Sequence, residues 1–391
     1  MRFLVLLTYY VGVWGLRPLP RSRSCTARFI APPPLPWNQE ESTDQGLAQD
    51  QDQYNAMWYG IGPVQHYSPE RPHKVTIWDT HYVVWQNNGT FYALHDACSH
   101  KGASLSKGKL KNKFGESTHP GESNICIACP YHGYEFDHDG HLCYAPGIRT
   151  PPKTQTTHPS IIQNFEVCNV NGWLYLNTQP KKGQEKGPGP APEQFLPPEL
   201  IDTEAQVVVT MEYACHARLV TENLLDIMHL TEVHQFGNDA HPHPTSHTLP
   251  KQSGSMYSSK YTYLAGEITR RLFGAKVLSI ENGFMLPHTS ITRIRFDGYE
   301  NTVITQTLPI HDRRCIFTAK VYRNFLVADP FVRMVVNAVL YYLTVFITQQ
   351  DKEVVESIDP RHMDGKYNMK YDALQARYVQ EYKTYIQDKK E

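Results

Sequence analysis

Two short stretches decide how this chain is read: Cys98-Ser99-His100-Lys101-Gly102 and, further on, Cys126-Ile127-Ala128-Cys129-Pro130-Tyr131-His132-Gly133-Tyr134. Cys98 and His100 are one residue apart, Cys129 and His132 are two apart, and a glycine follows each His closely. Two loops that each offer a thiolate and an imidazole can clamp a 2Fe-2S centre in which one iron takes the Cys pair and the other the His pair. Glycine beside a ligand lets the backbone come close and turn N–H groups toward the bridging sulfides. Zinc is the competing occupant, because Cys126 and Cys129 form a C-x-x-C that could combine with Cys98 and His100. That arrangement leaves His132 idle, whereas the cluster uses both pairs and makes Cys126 an ordinary strand residue.

A second dense stretch runs from Thr221 to His234, TENLLDIMHLTEVH. On a helix Asn223, Asp226 and His229 are spaced by three and share a face. His234 lies five beyond His229, so both reach one metal only if the helix ends or loosens between them. Two His and one carboxylate on an iron leave positions open for oxygen and substrate, as in non-haem Fe(II) oxygenases. The nearby His241, His243 and His247 are set among prolines and are read as loop residues outside the site. Cys143, Cys168, Cys215 and Cys315 show no partner pattern and are read as buried small apolar residues.

The 391 residues suffice for two domains with separate cores. A net charge of -1 without a long basic run argues against nucleic acid as a partner. The first 39 residues hold no acid and divide into MR, the apolar run FLVLLTYYVGVWG, and a stretch with Arg17, Arg21, Arg23 and Arg28 among Ser, Thr and Pro. Residues 1–45 therefore read as a targeting leader, a signal followed by a transit-like segment. Such leaders resemble those of algae with complex plastids, and an endomembrane destination is the alternative.

From residue 55 to 178 the chain reads as short strands and turns, an all-β domain: KVTIWDTHYVVW as a strand, NNG as a turn, Asp139-Gly140 and Asn171-Gly172 as further turns. Residues 179–199 are rich in Pro, Gly and Lys and read as a linker. Residues 200–391 mix strands with helical stretches near 218–230, 331–348 and 366–388, which predicts an α+β domain on an antiparallel sheet. The run FVRMVVNAVLYYLTVFIT, residues 331–348, is interrupted by Arg333 and Asn337 and is expected as a buried helix, with peripheral membrane contact as the alternative.

At Cys98-x-His100-x-Gly102 and Cys129-x-x-His132-Gly133 the sequence resembles the Rieske family, and the N-x-x-D-x-x-H-x-x-x-x-H stretch resembles the mononuclear iron site of the Rieske non-haem iron oxygenases. The 28 residues between His100 and Cys129 exceed the family's usual spacing, and an inserted polar loop, KNKFGESTHPGES, accounts for them. The resemblance implies a Rieske 2Fe-2S domain followed by a helix-grip-like catalytic domain. It implies a cluster on Cys98, His100, Cys129 and His132, and a mononuclear Fe(II) on His229, His234 and Asp351, the aspartate being expected where a helix opens. Glu353 and Glu356 compete with Asp351 and are assigned to the solvated face. In the family the residue at Asp226 carries electrons between subunits, which implies a homotrimer.

The implied activity is monooxygenation, with O2 and electrons from ferredoxin or a separate reductase, since no G-x-G-x-x-G follows a strand. Within the family the chain resembles the plastid branch that includes pheophorbide a oxygenase and chlorophyllide a oxygenase, without the C-terminal C-x-x-C of several plant members. The expected substrate is a large apolar ring compound, a plastid tetrapyrrole or other pigment. A non-catalytic Rieske electron carrier or redox sensor is the alternative and would show a degraded second site.

Overall fold

The computed structural model describes residues 58–112, 125–147, 162–180, 205–234, 238, 240–364 and 369–387. The expected leader, residues 181–199 of the expected linker and nearly all of the inserted loop lie outside these residues. The first part of the chain is all β. A six-stranded antiparallel sheet is built from β1 (Trp58–Pro63), β2 (His73–Ile77), β3 (Thr80–Asn87), β4 (Thr90–His95), β9 (Asn164–Val170) and β10 (Trp173–Pro180), in the order β1-β10-β9-β4-β3-β2. Between β4 and β9 the chain leaves to form a smaller sheet, β5 (Lys109–Asn112), β6 (Ile125–Ala128), β7 (Glu135–Phe136) and β8 (Leu142–Tyr144), paired in sequence order.

The stretch from Lys74 to Trp85 is not the single strand expected. It is a hairpin, β2 and β3, that turns at Trp78 and Asp79, both with positive φ (47° and 61°). The backbone N–H groups of these two residues donate to the carbonyls of Pro309 and Ile310 (3.2 and 2.8 Å), so the turn is pinned against the second half of the chain. Tertiary hydrogen bonding here overrides the strand preference of the flanking β-branched residues. The Asn88-Gly89 and Asn171-Gly172 turns form as expected, with both residues of each at positive φ.

The second part is α+β. An antiparallel sheet contains β11 (Val207–Tyr213), β12 (Ser246–His247), β14 (Met256–Leu264), β15 (Val277–Met285), β16 (Thr289–Phe296), β17 (Tyr299–His311) and β18 (Arg314–Arg323). Its order is β11-β18-β17-β16-β15-β14-β12, and β13 (Lys251–Ser253) also pairs with β14. The alternating inward residues Val207, Val209 and Tyr213 of β11 show why one face buries: successive side chains of a strand point to opposite sides. Helices α1 (Ala217–Leu225), α2 (His229–Glu232), α3 (Glu267–Phe273), α4 (Pro330–Val355) and α5 (Ala373–Gln387) complete it. Leu374, Tyr378 and Tyr382 recur every four residues of α5 and are fully buried in a core shared with Tyr59, Ile77 and Phe165 of the first part.

Two expectations about helices are corrected. The stretch 218–230 is not one helix: α1 ends at Leu225, and Asp226 is extended (φ -72°, ψ 121°). The Asp226 carboxylate accepts the backbone N–H of Met228 at 2.7 Å, a side-chain bond that competes with helix continuation. The apolar stretch 331–348 is helical but not buried. Of the most apolar part of α4 only 11% is buried, and the helix is long and apolar enough to cross a membrane.

His216 caps α1: its Nδ1 accepts the Arg218 backbone N–H at 3.1 Å, and its ring lies against Trp78. Burial, aided by the charge of Arg218, pushes its pKa down to about 4. A depressed histidine favours the folded state above its unfolded pKa, and that stability is lost as pH falls through the window from 6.5 to about 4. His216→Asn keeps a capping oxygen and removes the titration. Wild type should therefore lose up to about 3 kcal/mol more stability than the variant between pH 7 and pH 4 in urea unfolding; parallel losses would contradict the assignment.

Candidate metal centres

The first pair of loops is built alike. The Cys98 N–H donates to the Ala103 carbonyl (2.9 Å) and the Gly102 N–H returns to the Cys98 carbonyl (2.8 Å). The Cys129 N–H donates to the Tyr134 carbonyl (2.7 Å) and the Gly133 N–H to the Cys129 carbonyl (3.1 Å). Both reversals need a residue with positive φ, and Gly102 (72°) and Gly133 (71°) supply it without the strain a Cβ would bring. The loops face each other: Cys98 and Cys129 are both buried, and the His100 and His132 rings are 4.8 Å apart.

Burial is the main reason the Cys98 thiol is pushed above its ordinary pKa, with Cys129 adding to it. Two buried thiols beside two imidazoles are soft and nitrogen donors in one place, so this donor set fits an iron–sulfur cluster. His100 and His132 are solvent-exposed; His100 stacks on Tyr134 at 4.7 Å and His132 lies against the exposed Tyr131. Cys126 is buried on β6, opposite Lys111 of β5.

The second centre gathers three residues from distant parts of the chain. His229 opens α2, His234 follows one residue after its C-cap, and Asp351 sits in the last turns of α4. Asp351 is thus near the end of a 26-residue helix, not at the start of one as expected. Its Oδ1 is 3.0 Å from His234 Nε2 and 3.5 Å from His229 Nε2, and one donor atom from each residue lies within 4.8 Å of the others. The two rings stand nearly perpendicular (82°), 5.1 Å apart. The break at Asp226 and the short α2 allow both His to converge, which a continuous helix would prevent.

Asp351 Oδ1 and His229 Nδ1 are buried without a well-directed hydrogen bond among the described residues. Burial pushes the His229 pKa down, with the Asp351 and Asp226 carboxylates offsetting this in part. At His234 burial again lowers it, but Asp351 and Gln350 together outweigh burial and leave the pKa raised. A buried carboxylate whose oxygen faces two imidazole nitrogens is a donor set for a divalent metal, and two His with one carboxylate suit Fe(II) with open positions.

Other candidates fall outside. Glu353 is exposed, and Glu356 accepts the Ala214 N–H at 2.6 Å. His241 and His243 are exposed, and His247 packs on Tyr371. Cys143 and Cys168 are half-buried, not buried as expected, and Cys215 and Cys315 are free and buried. Gln350 was not anticipated: its Oε1 faces His234 Nδ1 at 3.1 Å and orients the ring so that Nε2 points at Asp351. Tyr213 holds the same helix end, donating to the Thr348 carbonyl at 3.1 Å.

Residues 57–165 match the sequence family described as the Rieske [2Fe-2S] domain. The chain carries a Rieske domain. A 2Fe-2S cluster is what such a domain holds, and the four loop residues offer a donor set of the right kind for it. The Rieske domain is followed by sequence that extends the likeness. Pheophorbide a oxygenase, chloroplastic, of Oryza sativa subsp. japonica is 23% identical over 237 residues, 55% of this chain and 41% of that protein. The oxygenase component of 3-ketosteroid-9-alpha-monooxygenase of Mycolicibacterium smegmatis is 32% identical over 189 residues, 47% of this chain and 44% of that one.

The chain thus spans less than half the length of these curated relatives. The crystal structure of dicamba monooxygenase bound to dicamba aligns with a TM-score of 0.67 at 20% identity, over 86% of this chain and 98% of that one, and so shares the fold. In sequence and fold the chain resembles the Rieske non-haem iron oxygenases, the plastid branch included.

Gln350→Ala should weaken iron(II) binding to the second centre about 10- to 100-fold in anaerobic calorimetric titration, with the visible absorption of the cluster unchanged. Unaltered affinity would show that Gln350 does not orient His234.

Proposed function

We propose that the chain is a Rieske-type monooxygenase that uses O2 and electrons from ferredoxin or a separate reductase to oxidise a large apolar ring compound. The observation that carries this reading is the convergence of His229, His234 and Asp351 in a chain that also bears a Rieske domain. An electron carrier or redox sensor needs no second donor set, and here three such donors converge, with His234 and Asp351 buried and His229 half-buried.

When bound, the cluster supplies single electrons and the iron(II) supplies the activation of O2. The protein's own groups do the rest. Cys98 and Cys129, buried, would hold the cluster on its inner side, and His100 and His132, exposed, would hold it at the surface, where single electrons could enter or leave. His229, His234 and Asp351 would hold the iron with three donors, which would leave other positions for O2 and substrate. Asp226, half-buried at the end of α1, bears on His229 through its charge and is anchored by the Met228 N–H.

Asp226 is the electron bridge in this account, reached by the His100/His132 edge of a neighbouring copy in a homotrimer. Support for the substrate class comes from the two relatives, one named for pheophorbide a and one for a 3-ketosteroid, both large ringed molecules. The same chloroplastic relative and the acid-free leader support a plastid location, of the complex algal type that a two-part leader suggests.

Asp226→Asn keeps the shape of the side chain and removes its charge. Both iron centres should load normally, while reoxidation of the reduced cluster by O2 and substrate in a single turnover slows about 10- to 100-fold, the scale on which loss of a group bound to a ligand acts. A wild-type rate in the loaded variant would sink the bridging role.

A further inference from the structure

The geometry points to α4 as a membrane-docking element: we propose that it lies flat in the surface of a lipid bilayer. Along one side of this helix Phe331, Met334, Tyr341, Tyr342 and Phe346 are 69%, 60%, 44%, 72% and 42% exposed. At 100° per residue these positions fall in a single stripe. The other side is held by protein: Val336, Thr348, Asp351 and Val355 are buried, Leu340 packs against the cluster of Val207, Val209 and Val321, and Arg323 bonds Asn337 Oδ1 at 2.5 Å.

A helix that is apolar on all sides belongs in a core or in lipid, and this one has a core on one side only. Being fixed along its length to β11 and β18, it cannot cross the bilayer. An in-plane position satisfies both sides.

Lipid fits the stripe better than a second copy does. The apolar stretch from Phe331 to Phe346 is about 24 Å long and about 10 Å wide, so two copies meeting there would bury on the order of 500 Å², well below the ~1,200 Å² of a stable interface. Between Pro330 and Gln350 the only charged residue is Arg333, and no acid is present to repel anionic headgroups. Tyr341 and Tyr342 have the apolar ring and polar tip suited to the headgroup boundary.

The same helix carries Asp351 in its last turns, so docking brings the second metal centre near the lipid in which a large apolar ring compound dissolves. That route rests on the oxygenase reading; the docking itself does not.

Hydroxyl-radical footprinting of the full chain, with and without vesicles of phosphatidylcholine and phosphatidylglycerol, tests the docking directly. Oxidation of Phe331, Met334 and Tyr342 should fall about fivefold or more on adding vesicles, as insertion of the stripe requires. Leu249 and Tyr131, 71% and 66% exposed and outside α4, should react as before. Unchanged labelling of α4 with vesicles present would overturn the proposal. So would labelling that is already low without them, which would mean that a second copy or another part of the chain covers the stripe. Neither readout needs iron or turnover, so failure of docking is distinct from failure of the oxygenase reading.

Discussion

The carboxylate of Asp351 is buried to 7% exposure on a helix whose preceding 20 residues carry a single charge. A lone charge in such a place costs several kcal/mol unless a cation or a proton answers it. Among the described residues Asp351 meets two imidazole nitrogens and pairs with no Lys or Arg, so a divalent metal is the answer the site is built for. From this constraint much of the second part follows. The chain must break at Asp226 so that His229 and His234 can turn toward one point, and β11 must hold α4 through Tyr213 and Thr348 so that Asp351 arrives there.

The Rieske loops solve a related problem in a different way. There the donors are close in sequence, and two matching turns, each closed by a glycine at positive φ, bring them together with little help from distant elements. That difference explains what was legible beforehand. Cys98, His100, Cys129 and His132 announce themselves because short-range spacing is nearly the whole of their geometry.

His229 and His234 were legible as a pair, but the place of the helix break was not. Asp226 fits the helical period, and only the Met228 N–H that it captures shows that it ends α1. Asp351 needed a family likeness to be picked out, since nothing local separates it from Glu353 or Glu356; burial does. Gln350 carries no signal at all, because its role depends on which face of α4 meets His234. The Trp78-Asp79 turn was hidden for a similar reason: its backbone partners are on β17, more than 200 residues away in sequence. The all-β character of the first part and the α+β character of the second were readable from alternation and turn residues, which are local, whereas the order of the strands rests on long-range pairing. The exposure of α4 was not, since an apolar run reads the same whether protein or lipid is to cover it.

The account stands on two centres in one chain, and metal content measures that directly. Protein purified without oxygen and supplied with Fe(II) should contain about three irons and two acid-labile sulfides per chain, with no stoichiometric zinc. Two irons and two sulfides after added Fe(II) would leave His229, His234 and Asp351 without a metal and contradict the oxygenase reading. Zinc without sulfide would contradict the cluster itself.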